Sequence, residues 1–173
     1  MKSNNIKIKK LAFIGIAASL ALLLSYVEFL LPPLFVSVPG IKIGLPNVVI
    51  LYVLYSLDIK YAALVSFVRI LISSILFGNV MTLIYSIAGA VLSLIVMAIL
   101  KKIDKFSSVG VSVTGAVTHN LGQILVAIIL LNTPQIVFYL IVLAITGTIS
   151  GVFIGLCGSI LINRIPYDKY FRI

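Results

Sequence analysis

Long apolar stretches dominate the sequence, separated by short segments that are polar or contain proline or glycine. An α-helix needs about 20 apolar residues to cross about 30 Å of hydrocarbon, because each residue rises about 1.5 Å. The pattern predicts six such helices, at about residues 11–31, 45–57, 61–77, 82–100, 109–131 and 136–162. The second stretch is short, which is typical of a helix partly buried beside its preceding loop. The predicted fold is therefore an all-α integral membrane protein, a bundle of six transmembrane helices.

The composition excludes several other classes of protein. Hydrophobic residues make up 62% of the 173 residues and charged residues 10%, whereas soluble domains average ~45–50% and ~25%. These values exclude a disordered chain, a nucleic-acid-binding arm and an ordinary soluble enzyme. Cys157 is the single cysteine, so the sequence predicts neither a disulfide framework nor a paired metal motif.

The cations indicate how the chain is oriented in the bilayer. Lys and Arg number 13 against 4 Asp and Glu, which gives a net charge of +9. Eleven of the 13 fall in segments that the helix pattern places on one side: Lys2, Lys7, Lys9, Lys10, Lys60, Lys101, Lys102, Lys105, Arg164, Lys169 and Arg172. Lys42 alone falls on the other side, and Arg69 lies within a helix. Positively charged segments stay in the cytoplasm, so residues 1–10 and 163–173 are predicted to be basic cytoplasmic segments flanking a transmembrane domain of residues 11–162. The net charge then needs no nucleic acid or acidic partner to explain it.

Small residues spaced four apart occur in two of the predicted helices. Ala17 and Ala21 form such a pair in the first helix, and Gly147, Gly151 and Gly155 form a stripe in the sixth. Small side chains let two helix backbones approach closely. Two interpretations are open at this point: packing within the bundle, or docking to another membrane protein, for which the first helix is the better candidate.

Glu28 and Arg69 are charged residues inside predicted helices, where a charge costs at least ~2.5–3.5 kcal/mol at the centre. Counted at about 1.5 Å per residue from the inner helix ends, Arg69 lies at a depth of ~12 Å and Glu28 at ~26 Å. We therefore expect no direct bridge between them unless a helix is tilted or broken. Arg69 is level with His119 and Asn120, and we expect it to contact these side chains, a carbonyl group or a water molecule.

The densest polar patch within a span is residues 118–123, in the fifth predicted helix. His119 and Gln123 are four residues apart and share a face of the helix, and Asn120 and Gln123 nearly do. One interpretation is an interhelical hydrogen-bond cluster. The other is a ligand cradle, because amide and imidazole groups offer both donors and acceptors. A metal site is not predicted, since His119 is the single histidine and has no second His or Cys ligand beside it.

The predicted outer loop, residues 38–47, combines two glycines with two prolines. This composition favours a rigid path with close backbone approach. Its backbone donors, with Lys42 and Asn47, are suited to closing over a solute bound from outside. A connector that packs on the bundle is the alternative interpretation.

Several kinds of catalysis are excluded by what the sequence lacks. It contains no phosphate-binding P-loop, no paired carboxylates and no Asp-rich magnesium motif. The four acids are scattered over different elements, at Glu28, Asp58, Asp104 and Asp168. We therefore predict that the protein is not an enzyme and carries no cofactor.

Three blocks of the sequence resemble a known family. They are Pro39-Gly40-Ile41-Lys42-Ile43-Gly44-Leu45-x-Asn47, then Arg69-Ile70-Leu71 with Leu76-Phe77-Gly78, then Gly115-Ala116-Val117-x-His119-Asn120-Leu121-Gly122-Gln123. On these blocks the chain resembles the Gx transporter family, also named heptaprenyl diphosphate synthase component I, from about Leu11 to Leu161. That family is grouped with the substrate-binding S components of energy-coupling factor (ECF) transporters. These are six-helix proteins with both termini inside the cell.

The resemblance implies a binding subunit in the plasma membrane of a prokaryote, which captures a small micronutrient outside the cell for ATP-driven uptake. Its partners would be an ECF-type transmembrane coupling subunit and a pair of cytoplasmic ATPases, with Ala17 and Ala21 matching the docking motif. The residues that polarity and position make candidates for substrate binding are Glu28, Lys42, Asn47, Arg69, Tyr85, His119, Asn120 and Gln123.

Two other functions are compatible with the sequence. One is an accessory membrane protein of isoprenoid, quinone or flavin metabolism, or of membrane electron transfer. The other is a purely structural membrane subunit. The synthase name does not by itself favour catalysis, because prenyl elongation needs acidic clusters to hold magnesium and diphosphate, and the sequence has none.

Overall fold

The computed structural model describes residues 2–31 and 43–167. In this part of the chain all regular structure is helical. The helices are α1 (Lys2–Leu30), α2 (Pro46–Ser56), α3 (Ile59–Phe77), α4 (Val80–Ile103), α5 (Ser108–Leu131) and α6 (Tyr139–Arg164), and a 3₁₀ turn at Pro134–Phe138 precedes α6.

Polar side chains mark the ends of the apolar helices. Asp58, Asn79 and Ser107 are the N-caps of α3, α4 and α5, and each accepts a hydrogen bond from a backbone N–H of the first turn. Asp104 and Asn132 end α4 and α5 in the left-handed conformation, with φ of 56° and 48°. The N-cap residues pair backbone N–H groups that a helix leaves unpaired at its start, and the left-handed residues end the helix and turn the chain. Because the helices end and begin so abruptly, the connections at residues 57–58, 78–79 and 104–107 are short.

Five of the six helices are long and apolar enough to cross a membrane, and α2 is not. With 11 residues, α2 is about 16 Å long, roughly half of the hydrocarbon thickness. It is instead the most buried of the six described helices, since every residue from Val49 to Leu54 is buried. All six predicted helices are thus present among the described residues, and five of them are long and apolar enough to cross a membrane. The second, which the sequence predicts to be short and partly buried, is buried against the other helices.

The helices form a closed ring in which each packs on the next. Going round it, α1 packs on α3, α3 on α4, α4 on α5, α5 on α6, α6 on α2, and α2 on α1 and α3. The core is centred on α2, and Phe13, Ala17 and Ala21 of α1 contribute to it. Large apolar side chains elsewhere on the long helices are exposed, for example Ile75 at 73% and Ile129 at 75%. Exposure of this kind suits a surface that faces lipid.

One end of the bundle collects the lysines, and we call it the basic end. There Lys10 of α1 lies 3.9 Å above the ring of Tyr61 at the start of α3. Lys101 near the end of α4 donates a hydrogen bond of 2.6 Å to the carbonyl of Leu54, near the end of α2. The hydroxyl of Tyr52 donates one of 2.7 Å to the carbonyl of Ile165, just after α6. Successive helices therefore alternate in direction, and the ends of α2, α4 and α6 lie with the starts of α1 and α3.

The helix boundaries differ from the predicted ones mainly at the N-terminus. Residues 1–10 are predicted to be a basic cytoplasmic segment, and the structure makes this segment helical from Lys2 onward. Its place outside the membrane stays a prediction. The candidate span itself begins at Ile6. The predicted tail lies largely outside the described residues, which end at Tyr167.

Candidate functional site

Glycines bring α4, α5 and α6 into backbone contact around the polar patch of α5. A Cβ added to Gly151 of α6 would lie 2.7 Å from the Cα of Val113, and one added to Gly122 of α5 would lie 2.8 Å from the carbonyl oxygen of Ala88. Real Cβ atoms do not approach this closely, so both contacts require glycine. The glycine stripe of α6 thus packs within the bundle, which was one of its two interpretations.

His119, Asn120 and Gln123 occupy the interfaces that these glycines form, and we call them the α5 cluster. The ring of His119 packs on Gly89 of α4, where an added Cβ would lie 2.9 Å from its Nε2. The amide nitrogen of Gln123 lies 3.3 Å from that same Nε2. Asn120 points the other way and donates a hydrogen bond of 2.7 Å to the carbonyl of Leu143 on α6. The cluster is about 16 Å along α5 from its start at the basic end.

The second polar group joins α1, α2 and α3, and we call it the Arg69 cluster. Arg69 donates a hydrogen bond of 3.4 Å from Nη2 to Oδ1 of Asn47, in the first turn of α2. The backbone N–H of Gly44 donates to Oε1 of Glu28, and the Glu28 carboxylate stabilises the guanidinium of Arg69 electrostatically. Gly44 has a φ of +80°, a conformation that favours glycine, and a Cβ there would lie 3.1 Å from Nδ2 of Asn47. Glu28 of α1, Asn47 of α2, Arg69 of α3 and Gly44 of the segment before α2 thus form one polar unit.

The described hydrogen-bond partner of Arg69 is a residue that the depth count did not consider. We expected no direct bridge to Glu28 unless a helix is tilted or broken, and contacts of Arg69 with His119 and Asn120, a carbonyl group or a water molecule. In the structure the described hydrogen bond of Arg69 goes to Asn47, and Glu28 acts on Arg69 through its charge. The depth count did not find Asn47 because it treated helices as isolated rods. It omitted the segment at Gly44, which approaches Glu28, and the short α2, which begins deep in the bundle beside α3.

For two further residues predicted to bind substrate, Tyr85 and Lys42, the structure shows less. Tyr85 lies on α4 one turn before Gly89, on the side that meets α5, and is half-buried. Lys42 lies outside the described residues. Among those described, no group of three or more His, Cys, Asp and Glu side chains is placed to hold a metal ion. The sequence did not indicate Gly44 and Gly89 as site residues, although Gly44 lies in the family-like block at residues 39–47 that also contains Asn47.

Ala17 and Ala21, predicted to dock a partner, are buried within the chain at 5% and 0% exposure. They belong to the core cluster, most of which comes from α1, α2 and α3, so this face of α1 is packed within the chain. The open face of α1 carries a shallow groove instead, lined by Ala12, Gly15, Ile16, Ser19, Leu20 and Leu23. In this structure the alanine pair serves intrachain packing, and its role in docking a partner stays a prediction.

A Gly147→Ala variant is expected to disturb Asn120 while leaving the bundle folded. The added methyl carbon would lie 2.7 Å from Nδ2 of Asn120 but 3.5 Å from the nearest backbone atom. The flexible amide moves aside and loses its bond to Leu143, which costs about 1 kcal/mol. Thermal unfolding in detergent measures this loss. The reference is Gly151→Ala, whose added Cβ would meet the backbone of α5, and a destabilisation as large as in that variant would contradict the expectation.

The sequence blocks that carry both clusters lie within one family match. A model of the heptaprenyl diphosphate synthase component I family matches residues 17–161. The chain belongs to this family. The match includes Glu28, Asn47, Arg69 and the α5 cluster, and it confirms the resemblance seen in the sequence. A search of the curated proteins found no match, and a search of the solved structures found none either.

Proposed function

We propose that this family member is a membrane-embedded solute-binding subunit, similar to the S component of an ECF transporter, with no catalytic site of its own. The observation that supports this most is the pair of polar clusters inside an otherwise apolar bundle. Polar groups at this depth are costly and are retained where they have a function. Packing alone does not require the hydrogen-bond donors and acceptors of these two clusters. A solute-binding subunit does require them.

The α5 cluster has the chemistry of a recognition site for a small polar molecule. The described contacts of Asn120 and Gln123 use their amide nitrogens. Each amide also carries an acceptor oxygen, and His119 acts as donor or acceptor according to its tautomer. Neutral groups of this kind recognise vitamins and related micronutrients by hydrogen bonds, while the glycine contacts hold the three side chains in fixed positions.

The proposed orientation places the basic end in the cytoplasm. Lys60, Lys102, Lys105 and Arg164 all belong to helix ends or connections on this side of the fold, as the positive-inside rule requires of cytoplasmic segments. Both termini then face the cytoplasm of a prokaryotic cell, and the solute enters from the opposite end. By resemblance, a transmembrane coupling subunit and a pair of cytoplasmic ATPases complete the transporter. We place the coupling subunit on the open face of α1 at Ala12, Gly15 and Ser19.

Retention of the copurified solute tests the binding site. The full chain is purified in mild detergent, and the small molecules that it releases on denaturation are quantified by mass spectrometry. His119→Ala and Asn120→Ala are each expected to lower retention roughly tenfold, because each removes one or two hydrogen bonds to the solute. Lys102→Ala is the matched control, since Lys102 is exposed at the basic end, and it should leave retention unchanged.

Equal losses in all three variants would contradict the proposed site. Retention is normalised to folded protein, measured by size-exclusion chromatography, so that a folding defect is not read as a binding defect. Copurification with an ATP-hydrolysing pair would further support uptake as the function.

A second function is favoured by the family name, which describes a component of a synthase. In that case the chain is an accessory membrane component of isoprenoid, quinone or flavin metabolism. It would copurify with a prenyl diphosphate synthase subunit or carry a lipid or chromophore. Visible absorbance of the purified protein, or an isoprenoid in its extract, would favour this alternative over solute uptake.

A further inference from the structure

Arg69 lies on the face of α3 that is turned into the bundle. Ala62, Val65, Ser66 and Ile70 are buried on α3 at 0%, 0%, 3% and 2% exposure. Ala62, Val65 and Ser66 precede Arg69 by seven, four and three residues, the spacings that share one side of a helix, and Arg69 itself is partly buried. Arg69 is about 15 Å along α3 from its start at the basic end. Its charge is thus held inside the bundle and does not reach the aqueous surface at the basic end.

The guanidinium of Arg69 has more donors than the described chain uses. Arginine carries five N–H donors in a planar fork. The hydrogen bond from Nη2 to Asn47 is long, at 3.4 Å, and Nε is buried without a hydrogen-bond partner in residues 2–31 and 43–167. The nearby Glu28 carboxylate accepts the N–H of Gly44. A buried donor without an acceptor is costly, so the position calls for an acceptor that the described chain does not supply.

The surroundings of Arg69 favour a negatively charged acceptor. The positive end of the α2 dipole lies beside Arg69, since Asn47 is in the first turn of α2. Asn47 also brings an amide to the same place. Within the described residues, an added monoanion would meet one carboxylate, that of Glu28, and three groups that attract it: a guanidinium, a helix N-terminus and an amide.

We propose that Arg69 and Asn47 bind an acidic group of the transported solute, a carboxylate or a phosphate. Nε and one Nη of Arg69 donate two parallel hydrogen bonds to two oxygens of that group, the arrangement for which the guanidinium fork is suited. The α5 cluster then recognises the neutral part of the same molecule. This assignment rests on the proposed function and adds to it the chemical class of the solute.

Matched small probes test the assignment on the full chain in neutral detergent. Thermal unfolding is followed through the reaction of Cys157, the single cysteine, with a fluorogenic maleimide. The probes are sodium acetate, its neutral analogue acetamide, and sodium phosphate, each with sodium chloride added to constant ionic strength. Acetate or phosphate is expected to raise the unfolding temperature of the wild type, and acetamide to leave it unchanged. The anion that raises the unfolding temperature at the lower concentration identifies the acidic group.

The variants Arg69→Gln and Arg69→Lys separate the fork from the charge. Arg69→Gln is expected to lower the apparent affinity for the effective anion roughly tenfold or more, and Arg69→Lys to lower it less. Lys102→Gln, at an exposed cation of the basic end, is the control and should respond like the wild type. If Arg69→Gln does not fold, Arg69→Lys alone still tests the fork.

Two results of the probe experiment would overturn the assignment. One is an anion effect of equal size in wild type and both Arg69 variants, and the other is no effect of either anion on the wild type. The solute-retention experiment gives an independent result for the binding function. A retained solute without an acidic group, lost in His119→Ala but kept in Arg69→Lys, would leave the binding subunit intact and remove the acidic subsite.

Discussion

Replacing Gly151 by leucine is expected to destabilise the folded bundle by about 3 kcal/mol, the upper part of the range for overpacked cores. A Cβ alone at this position would lie 2.7 Å from the Cα of Val113 and 3.1 Å from the Cβ of Ala116. The obstructing Val113 atom is backbone, so it cannot swing away as a long side chain does. The helices α5 and α6 must therefore separate along their length, which also displaces Asn120.

Gly15 provides the matched control for Gly151. It lies in α1 on the open groove, and an added Cβ would have nothing within 4 Å. Gly15→Leu is expected to change stability by less than about 0.5 kcal/mol, and Gly15→Ala to increase it slightly, because alanine favours a helix by about 1 kcal/mol over glycine. Unfolding in a dodecyl maltoside to dodecyl sulfate titration, followed by circular dichroism, gives both values. Similar losses at the two glycines would show that the contact of Gly151 with α5 does not determine the effect.

Removing the charge of Arg69 is expected to destabilise the protein by about 2 to 3 kcal/mol when Glu28 is left in place. The Arg69→Met variant leaves the Glu28 carboxylate in the bundle without the guanidinium that stabilises it, and a buried charge that loses its partner is costly. Glu28→Gln keeps an acceptor for the N–H of Gly44 and is expected to cost less. The double variant should be more stable than the sum of the two losses predicts.

A double-mutant cycle measures this coupling directly. We expect a coupling free energy between Glu28 and Arg69 of about 1 to 3 kcal/mol, the range for residues that interact. The same cycle between Lys102 and Glu28 should give a value near zero, because Lys102 is at the basic end and Glu28 is near the opposite end of α1. Additive losses for Glu28 and Arg69 would mean that they act independently, as the depth count from the sequence suggested.

The helices were predictable because the information that specifies them is local. An apolar run of about 20 residues in a chain with few charges has a bilayer as its natural solvent, and five of the six predicted runs are helices long enough to cross one. The grouping of His119, Asn120 and Gln123 was also predictable, since residues three and four apart on a helix are neighbours whatever the helix packs against.

The partners of each helix were not predictable in this way. Ala17 and Ala21 have the spacing of a close helix contact, and the sequence does not say whether the contact lies within the chain or with a partner. The structure places α2 and α3 against them. The length of α2 indicated that it was unusual, but its position in the ring, between α6 and α1, depends on α1, α3 and α6 together.

The amino-acid sequence is enough to assign this chain to a family of helical membrane-type proteins, to group eleven of its cations in segments on one predicted side, and to find a few polar residues within the helices. Hydrophobic length, the distribution of charges and helical spacing are all properties of neighbouring residues. The contact of Arg69 with Asn47, and the places of His119 and Asn120 at the interfaces with α4 and α6, became visible in the three-dimensional structure. The physical reason is that a long side chain reaches its partner across helices whose relative depth and tilt are set by packing, and no single segment encodes that packing.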